Sequence, residues 1–308
     1  MTLFSSEEVV QRVKSGVRFK EAELSRLKLE SANIDNAVFI NCYMRGAILT
    51  NTSIKEANFK SSNLSFAKLT NIEGDRANLE RIELNSATLE GVSLNDANAY
   101  KAKIFGARLN NLKAPHINLS FASLRQAYGK NIYLSSANLN KAFLSQVNFD
   151  EINLERATVT NADFQAAVVN NSRWHKANLQ NTNFSHSEIS NSYFNDASFV
   201  NSKFVEAELD NISFIAAELL ETNFGKAKLT NINFANSTLL SANLEDAFLS
   251  NINFTDANLQ DSNLENTTWH HVDFANCNVD GAVFSNAKGL TEKQKQWLKK
   301  NGALNVGR

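Results

Sequence analysis

From Phe19 onward every fifth residue is large and apolar. Leu24, Leu29, Ile34, Phe39, Met44, Leu49, Ile54, Phe59, Leu64 and Leu69 open a series that runs to Phe284 without one insertion or deletion. It spans 54 consecutive pentapeptides, and only Gly74, Ala99, Ala114 and Gly129 interrupt it. A second, smaller residue stands two places before each centre, as at Ala22, Ala32, Ala37, Cys42, Ala47, Thr52 and Ala57. The other three positions are polar, with Asn frequent just before the centre (Asn58, Asn78, Asn138, Asn178, Asn258). A period of five is neither the 3.6 of a helix nor the 2 of a plain strand. A centre and the residue two before it do point the same way on a short extended segment. The remaining residues can then turn a corner, with Asn and Ser side chains bonding to the local backbone.

A longer period lies over the first. Ile72, Val92, Leu112, Ile132 and Ile152 recur at intervals of twenty, and Ile212, Ile232, Ile252 and Val272 resume the row. Phe194, Phe214, Phe234, Phe254 and Phe274 form another row, and Asn171, Asn191, Asn211, Asn231 and Asn251 a third, on the outside. Four pentapeptides therefore make one square coil, and residues twenty apart stack. Some 13.5 such coils would rise about 65 Å at the spacing of paired strands.

Bare strand edges at the two ends would invite polymerisation, and both ends read as capped. Phe4, Ser5, Glu8 and Val9 fit a capping box with a hydrophobic staple. The helix it starts runs through Val10 and Val13 and stops near Gly16. Thr291 with Gln294 begins a second helix, which passes Trp297 and Leu298 towards Gly302. The expected organisation is a cap over 1–16, repeats over 17–289 and a closing helix and tail over 290–308, all one structural domain.

ANLED, ANLQD, ANLER and SNLEN resemble the A(D/N)LXX consensus of the pentapeptide-repeat family, and the match covers nearly the whole chain. AKGLTEKQ also resembles the closing segment of many members. The resemblance implies an all-β fold, a right-handed quadrilateral parallel β-helix with short helical caps at both ends. Right-handed connection is also the general rule for parallel crossovers.

Composition narrows the function. The formal net charge is −1, which gives no general push towards nucleic acid or membrane. No apolar run is long enough to span a bilayer, the start lacks a signal-peptide pattern, and two cysteines offer no disulfide framework. The expectation is a cytoplasmic protein without membrane association. Cys42 and Cys277 occupy small inward positions many coils apart, which fits packing and not a shared metal. His116, His175, His186, His270 and His271 all fall on outward positions without partners spaced for zinc. No phosphate loop, nucleophile triad or CxxC is present. The chain reads as non-enzymatic, with no cofactor and no metal.

Function then falls to the outer surface. Residues 201–265 carry Glu206, Glu208, Asp210, Glu218, Glu221, Glu245, Asp246, Asp256, Asp261 and Glu265 against three lysines, a net charge of −7. Besides a solvated surface, this region allows a DNA-mimicking reading. Pentapeptide-repeat proteins of the quinolone-resistance type resemble duplex DNA and bind type II topoisomerases, so a topoisomerase is one possible partner. Against it, the amino-terminal coils are not acidic, the unbroken register leaves no room for loops, and the closing helix is rich in lysine. Trp297 and Leu298 leave open a dimer through that helix; a monomer is the other expectation.

The second outward feature is aromatic. Tyr100, Phe105, Phe121, Tyr128 and Tyr133 sit on positions that should face water, beside Lys101 and close to Ala99, Ala114, Pro115 and Gly129. They are either anchors for a protein partner or side chains tucked inward to repair the gaps, a reading that fits Tyr100 and Tyr128 best. The sequence thus supports a recognition scaffold for an unidentified protein, with no direct nucleic-acid binding. The DNA mimic is the alternative, and an ice-binding solenoid ranks last for want of threonine rows.

Overall fold

The computed structural model describes residues 4–307, so the first three residues of the predicted amino-terminal cap, and Arg308, lie outside the described residues. Two compact units divide the chain, Met1–Thr158 and Val159–Arg308. Each is a stack of square coils, the quadrilateral parallel β-helix expected from the double period.

In the first unit, strands Lys28–Glu30, Ile48–Thr50, Lys68–Thr70 and Thr88–Glu90 pair in parallel at an offset of twenty, Leu29 with Leu49 and Leu49 with Leu69. The second unit repeats this in strands such as Glu208–Ser213, Lys228–Asn233 and Phe248–Asn253, with Leu209 opposite Leu229 and Ile232 opposite Ile252. Single bridges mark the other faces, Asn33 with Ser53, Asn58 with Asn78 and Tyr43 with Asn63. Each coil has four faces, defined here by register. The first carries Leu29 and its equivalents twenty residues on, the second Ile34, the third Phe39 and the fourth Met44.

The five-residue grammar has a local cause at each position. Centres and small residues are buried, and together they fill the narrow interior. Asn before the centre closes a small ring. Its Oδ1 accepts the N–H two residues on, as Asn58 does from Lys60 (3.0 Å) and Asn253 from Thr255 (2.9 Å). The second residue after the centre takes a positive φ, between 48° and 62°, from Glu21 through Asn286 wherever it is not glycine. That left-handed residue is the corner. Where Ser or Thr replaces the small inward residue, its hydroxyl often reaches a carbonyl one coil back, as Thr182 does to Val159 (2.9 Å) and Thr222 to Phe199 (3.0 Å), or that of the preceding centre in its own coil, as Ser237 does to Phe234 (2.6 Å).

The phenylalanine rows are columns of stacked rings. Phe194, Phe214, Phe234 and Phe254 lie 5.1–5.3 Å apart, centroid to centroid. Phe164, Phe184, Phe204 and Phe224 form a second column on the fourth face at 4.9–5.0 Å. The outer asparagine row is bonded only in part. Asn211 donates to Asn191 and Asn251 to Asn231, but Asn231 turns to Asp210.

Helix α1 (Ser6–Lys14) has the expected capping box from Ser5 and Glu8, and buries Val9. Helix α2 (Glu292–Lys300) has its own from Thr291 and Gln294. Gln294 also donates to the Val272 carbonyl (2.9 Å), Trp297 stacks on Phe274 (6.1 Å), and Leu298 is wholly buried. Leu298 closes its own coil, so of the two residues that left a dimer through this helix open, only the half-buried Trp297 is accessible to a second chain.

Candidate functional site

The corner residue decides which side chains stand furthest from the core. L-residues with a Cβ pay about 1–2 kcal/mol for the left-handed conformation, and Asn, Asp and Gly tolerate it best. Half of the 54 corners are one of these three, and Phe121 is not: it holds φ 59° and is 37% exposed.

Phe121 is the middle of a column along the corner between the third and fourth faces, with Lys101 one coil before and Lys141 one coil after. The Lys101 and Lys141 ammonium groups lie 5.7 and 5.6 Å from the ring centroid. Tyr100 meets Phe121 edge-on at 5.7 Å, and Lys101 also lies 5.1 Å from the Tyr100 ring. Three of the six sequence candidates, Tyr100, Lys101 and Phe121, therefore form one cluster. Phe105 projects from the fourth face, Tyr128 from the first and Tyr133 from the second, and none joins the cluster.

The repair reading needs correction. Phe105, Tyr128 and Tyr133 are 44%, 49% and 46% exposed, and the half-buried Tyr100 is covered from outside by Phe121 and Lys101. The gaps are managed from within. Leu94 and Ile54 close on Gly74 so tightly that a Cβ there would stand 2.9 Å from Leu94. At Gly129 a Cβ would lie 1.7 Å from the Leu109 carbonyl oxygen of the neighbouring coil, so only glycine fits. Around Ala99 an apolar cavity of about 30 Å³ remains, walled by Leu94, Leu109, Leu119 and Leu134. The outer aromatics fill none of it.

Sequence reasoning missed further outward aromatics: Tyr43, Phe66, Phe143, Tyr193 and Phe248. Phe66 is a second phenylalanine corner (φ 62°) with the Arg45 guanidinium 4.5 Å from its ring, and Arg125 covers Phe143 at 4.6 Å. Testing every outward aromatic for a cation 18 to 21 residues away would have found both.

The ten carboxylates of 201–265 are spread over three faces and three corners by register. Glu208 and Asp210 lie on the first face, Glu218 on the third and Glu245 and Glu265 on the fourth, while Asp256 takes the corner between second and third, Glu221 and Asp261 that between third and fourth, and Glu206 and Asp246 that between fourth and first. Glu208 faces Lys228 (3.4 Å) and Glu206 His186 (3.4 Å), and Asp210 and Asp261 accept from Asn231 and Gln260. The fourth face and its two corners hold six of the ten, in separate columns.

Burial pushes the Cys277 thiol up to about 12 and raises that of Cys42. Both are therefore protonated, poor nucleophiles and poor metal ligands at neutral pH. Among the described residues, no three His, Cys, Asp or Glu side chains gather to hold a metal, and no helix is long and apolar enough to cross a membrane.

Comparison with known proteins bears on the whole chain. The family model for pentapeptide repeats (8 copies) matches residues 15–51, 37–72, 75–111 and 116–150, and the pentapeptide repeat region model matches 167–244 and 207–284. No curated protein matches significantly. Among solved structures, the chain is similar to a trypsin-treated form of QnrB1, a plasmid-mediated fluoroquinolone resistance protein. Identity is 15%, covering 68% of this chain and 94% of that one, with a TM-score of 0.44. It is also similar to HetL, a pentapeptide repeat protein involved in heterocyst differentiation regulation from the cyanobacterium Nostoc, at 22% identity over 92% and 94% of the two chains (TM-score 0.21). A pentapeptide repeat protein from the Arabidopsis thaliana thylakoid lumen matches at 20% identity over 44% and 80% (TM-score 0.26).

Proposed function

Because the chain belongs to the pentapeptide-repeat family, we propose that it acts as a non-catalytic scaffold recognising a protein partner through its outer faces. The cluster of Tyr100, Lys101 and Phe121 is the centre of that surface. The observation that carries this reading is Phe121. A bulky ring is kept in a conformation that disfavours it and pointed at solvent, where it contributes nothing to the interior. Exposed aromatics beside a cation are also the usual anchors of interfaces.

The test is capture from a lysate of the source organism on immobilised protein. Wild type and a Tyr193→Ala control should retain the same partner, and a Tyr100→Ala/Phe121→Ala variant should lose it. Identical capture by all three would sink this reading.

A further inference from the structure

The cluster lies in an unusual tract. Residues 97–149 contain Lys101, Lys103, Arg108, Lys113, Arg125, Lys130 and Lys141 and not one carboxylate, a net charge of +7. The −7 of residues 201–265 is equal and opposite.

The match extends to individual positions. Along the corner between third and fourth faces, the first unit presents Lys101, Phe121 and Lys141. By register the same corner of the second unit presents Glu221, Ser241 and Asp261. All six are exposed, and all have φ between 54° and 59°. In each unit the two like charges are two coils apart, roughly 10 Å. Two copies of one solenoid share that spacing by construction, so both ion pairs can form together. The centre of the basic column is a phenylalanine and that of the acidic column a serine small enough to receive it. None of the four charges belongs to an ion pair within its own chain among the described residues.

The flanks repeat the complement. On the third face Tyr100 stands beside the basic column, and half-buried Val200, Leu220 and Leu240 beside the acidic one. On the fourth face Arg125 accompanies the basic column, with Lys103 already paired to Glu83 (2.8 Å), and Glu245 and Glu265 accompany the acidic one.

We infer that the occupant of the Lys101–Phe121–Lys141 column is a second copy of this chain, docking through its Glu221–Ser241–Asp261 column. This rests on the proposed recognition surface and names its partner. A single-stranded nucleic acid fits less well, because stacking bases need open ring faces. Here Lys101 and Lys141 lie over Phe121, and Arg125 over Phe143. The contact is narrow, so the association is weak and electrostatic, with a Kd of about 10–100 µM at low salt.

Sedimentation velocity on the full chain, up to about 200 µM, tests this by charge exchange. Wild type should self-associate, and ten-fold more salt should weaken it at least about ten-fold. Lys101→Glu/Lys141→Glu alone and Glu221→Lys/Asp261→Lys alone should each be monomeric, and an equimolar mixture of the two should associate. Glu56, Glu151, Lys176 and Lys226 already occupy such corners, so the variants can fold, as a matching circular dichroism melt verifies. A monomeric wild type overturns the inference, as does association that survives both variants or depends on Trp297. A monomeric wild type that binds an acidic peptide or a labelled oligo-dT at the Lys101 column overturns it too, by assigning another occupant. If wild type is monomeric while Tyr100→Ala/Phe121→Ala still loses a captured protein, the recognition reading stands without the second copy.

Discussion

At the scale of the residue, the left-handed corner separates what the fold needs from what it tolerates. Asn at a corner costs little; Phe costs more and brings only exposed ring contacts worth about 0.5–1 kcal/mol each. Asp75 shows the opposite case, a side chain built into the coil. Burial would raise its pKa, but hydrogen bonds from the Ser93 hydroxyl and the Asn95 side chain and backbone, with Lys55 nearby, outweigh burial and hold it below the usual value. A carboxylate depressed in this way stabilises the fold above its unfolded pKa of about 3.9 and loses that contribution as pH falls through the folded value. Wild type should therefore lose stability faster than Asp75→Asn in urea titrations below about pH 4. Cys277, raised to about 12, should resist alkylation at neutral pH until the chain is unfolded, which mass spectrometry can follow.

At the scale of the coil, stability comes from columns of stacked centres. Phe234 is wholly buried between Phe214 and Phe254, and the rigid columns on either side cannot collapse into the space it would leave. Phe234→Ala should cost about 3–5 kcal/mol in chemical denaturation. Gly129→Ala should be severely destabilising although it adds one methyl, because that carbon would meet the Leu109 carbonyl. This scale was the most legible in sequence. Period five gave the centres, period twenty the stacking, and the two capping boxes the ends. The gaps were not legible. Ala99 and Gly129 look alike as missing large residues, yet one borders a cavity and the other admits a backbone, and the difference lies in how neighbouring coils settle. The outer cluster was legible in part. The offset of 21 brought Tyr100 to Phe121, but Lys141 and the Phe66 and Phe143 pairs needed the corner geometry.

At the scale of the whole molecule, a near-neutral total hides a basic, aromatic tract in one unit and an acidic tract in the other. Duplex mimicry needs continuous rows of negative charge. The carboxylates here lie in short separate columns interleaved with lysine and asparagine, so the purified protein should leave DNA gyrase supercoiling unchanged, with or without a fluoroquinolone. Altered supercoiling at low micromolar protein would restore the mimic. The claim beneath everything else is that the Phe121 cluster serves recognition and not the fold, and thermal unfolding of Phe121→Asn tests it most directly. Asn relieves the left-handed corner while giving up the exposed ring, so Tm should stay within about 2 °C of wild type or rise. A fall of more than about 5 °C would make Phe121 a structural residue and contradict the account.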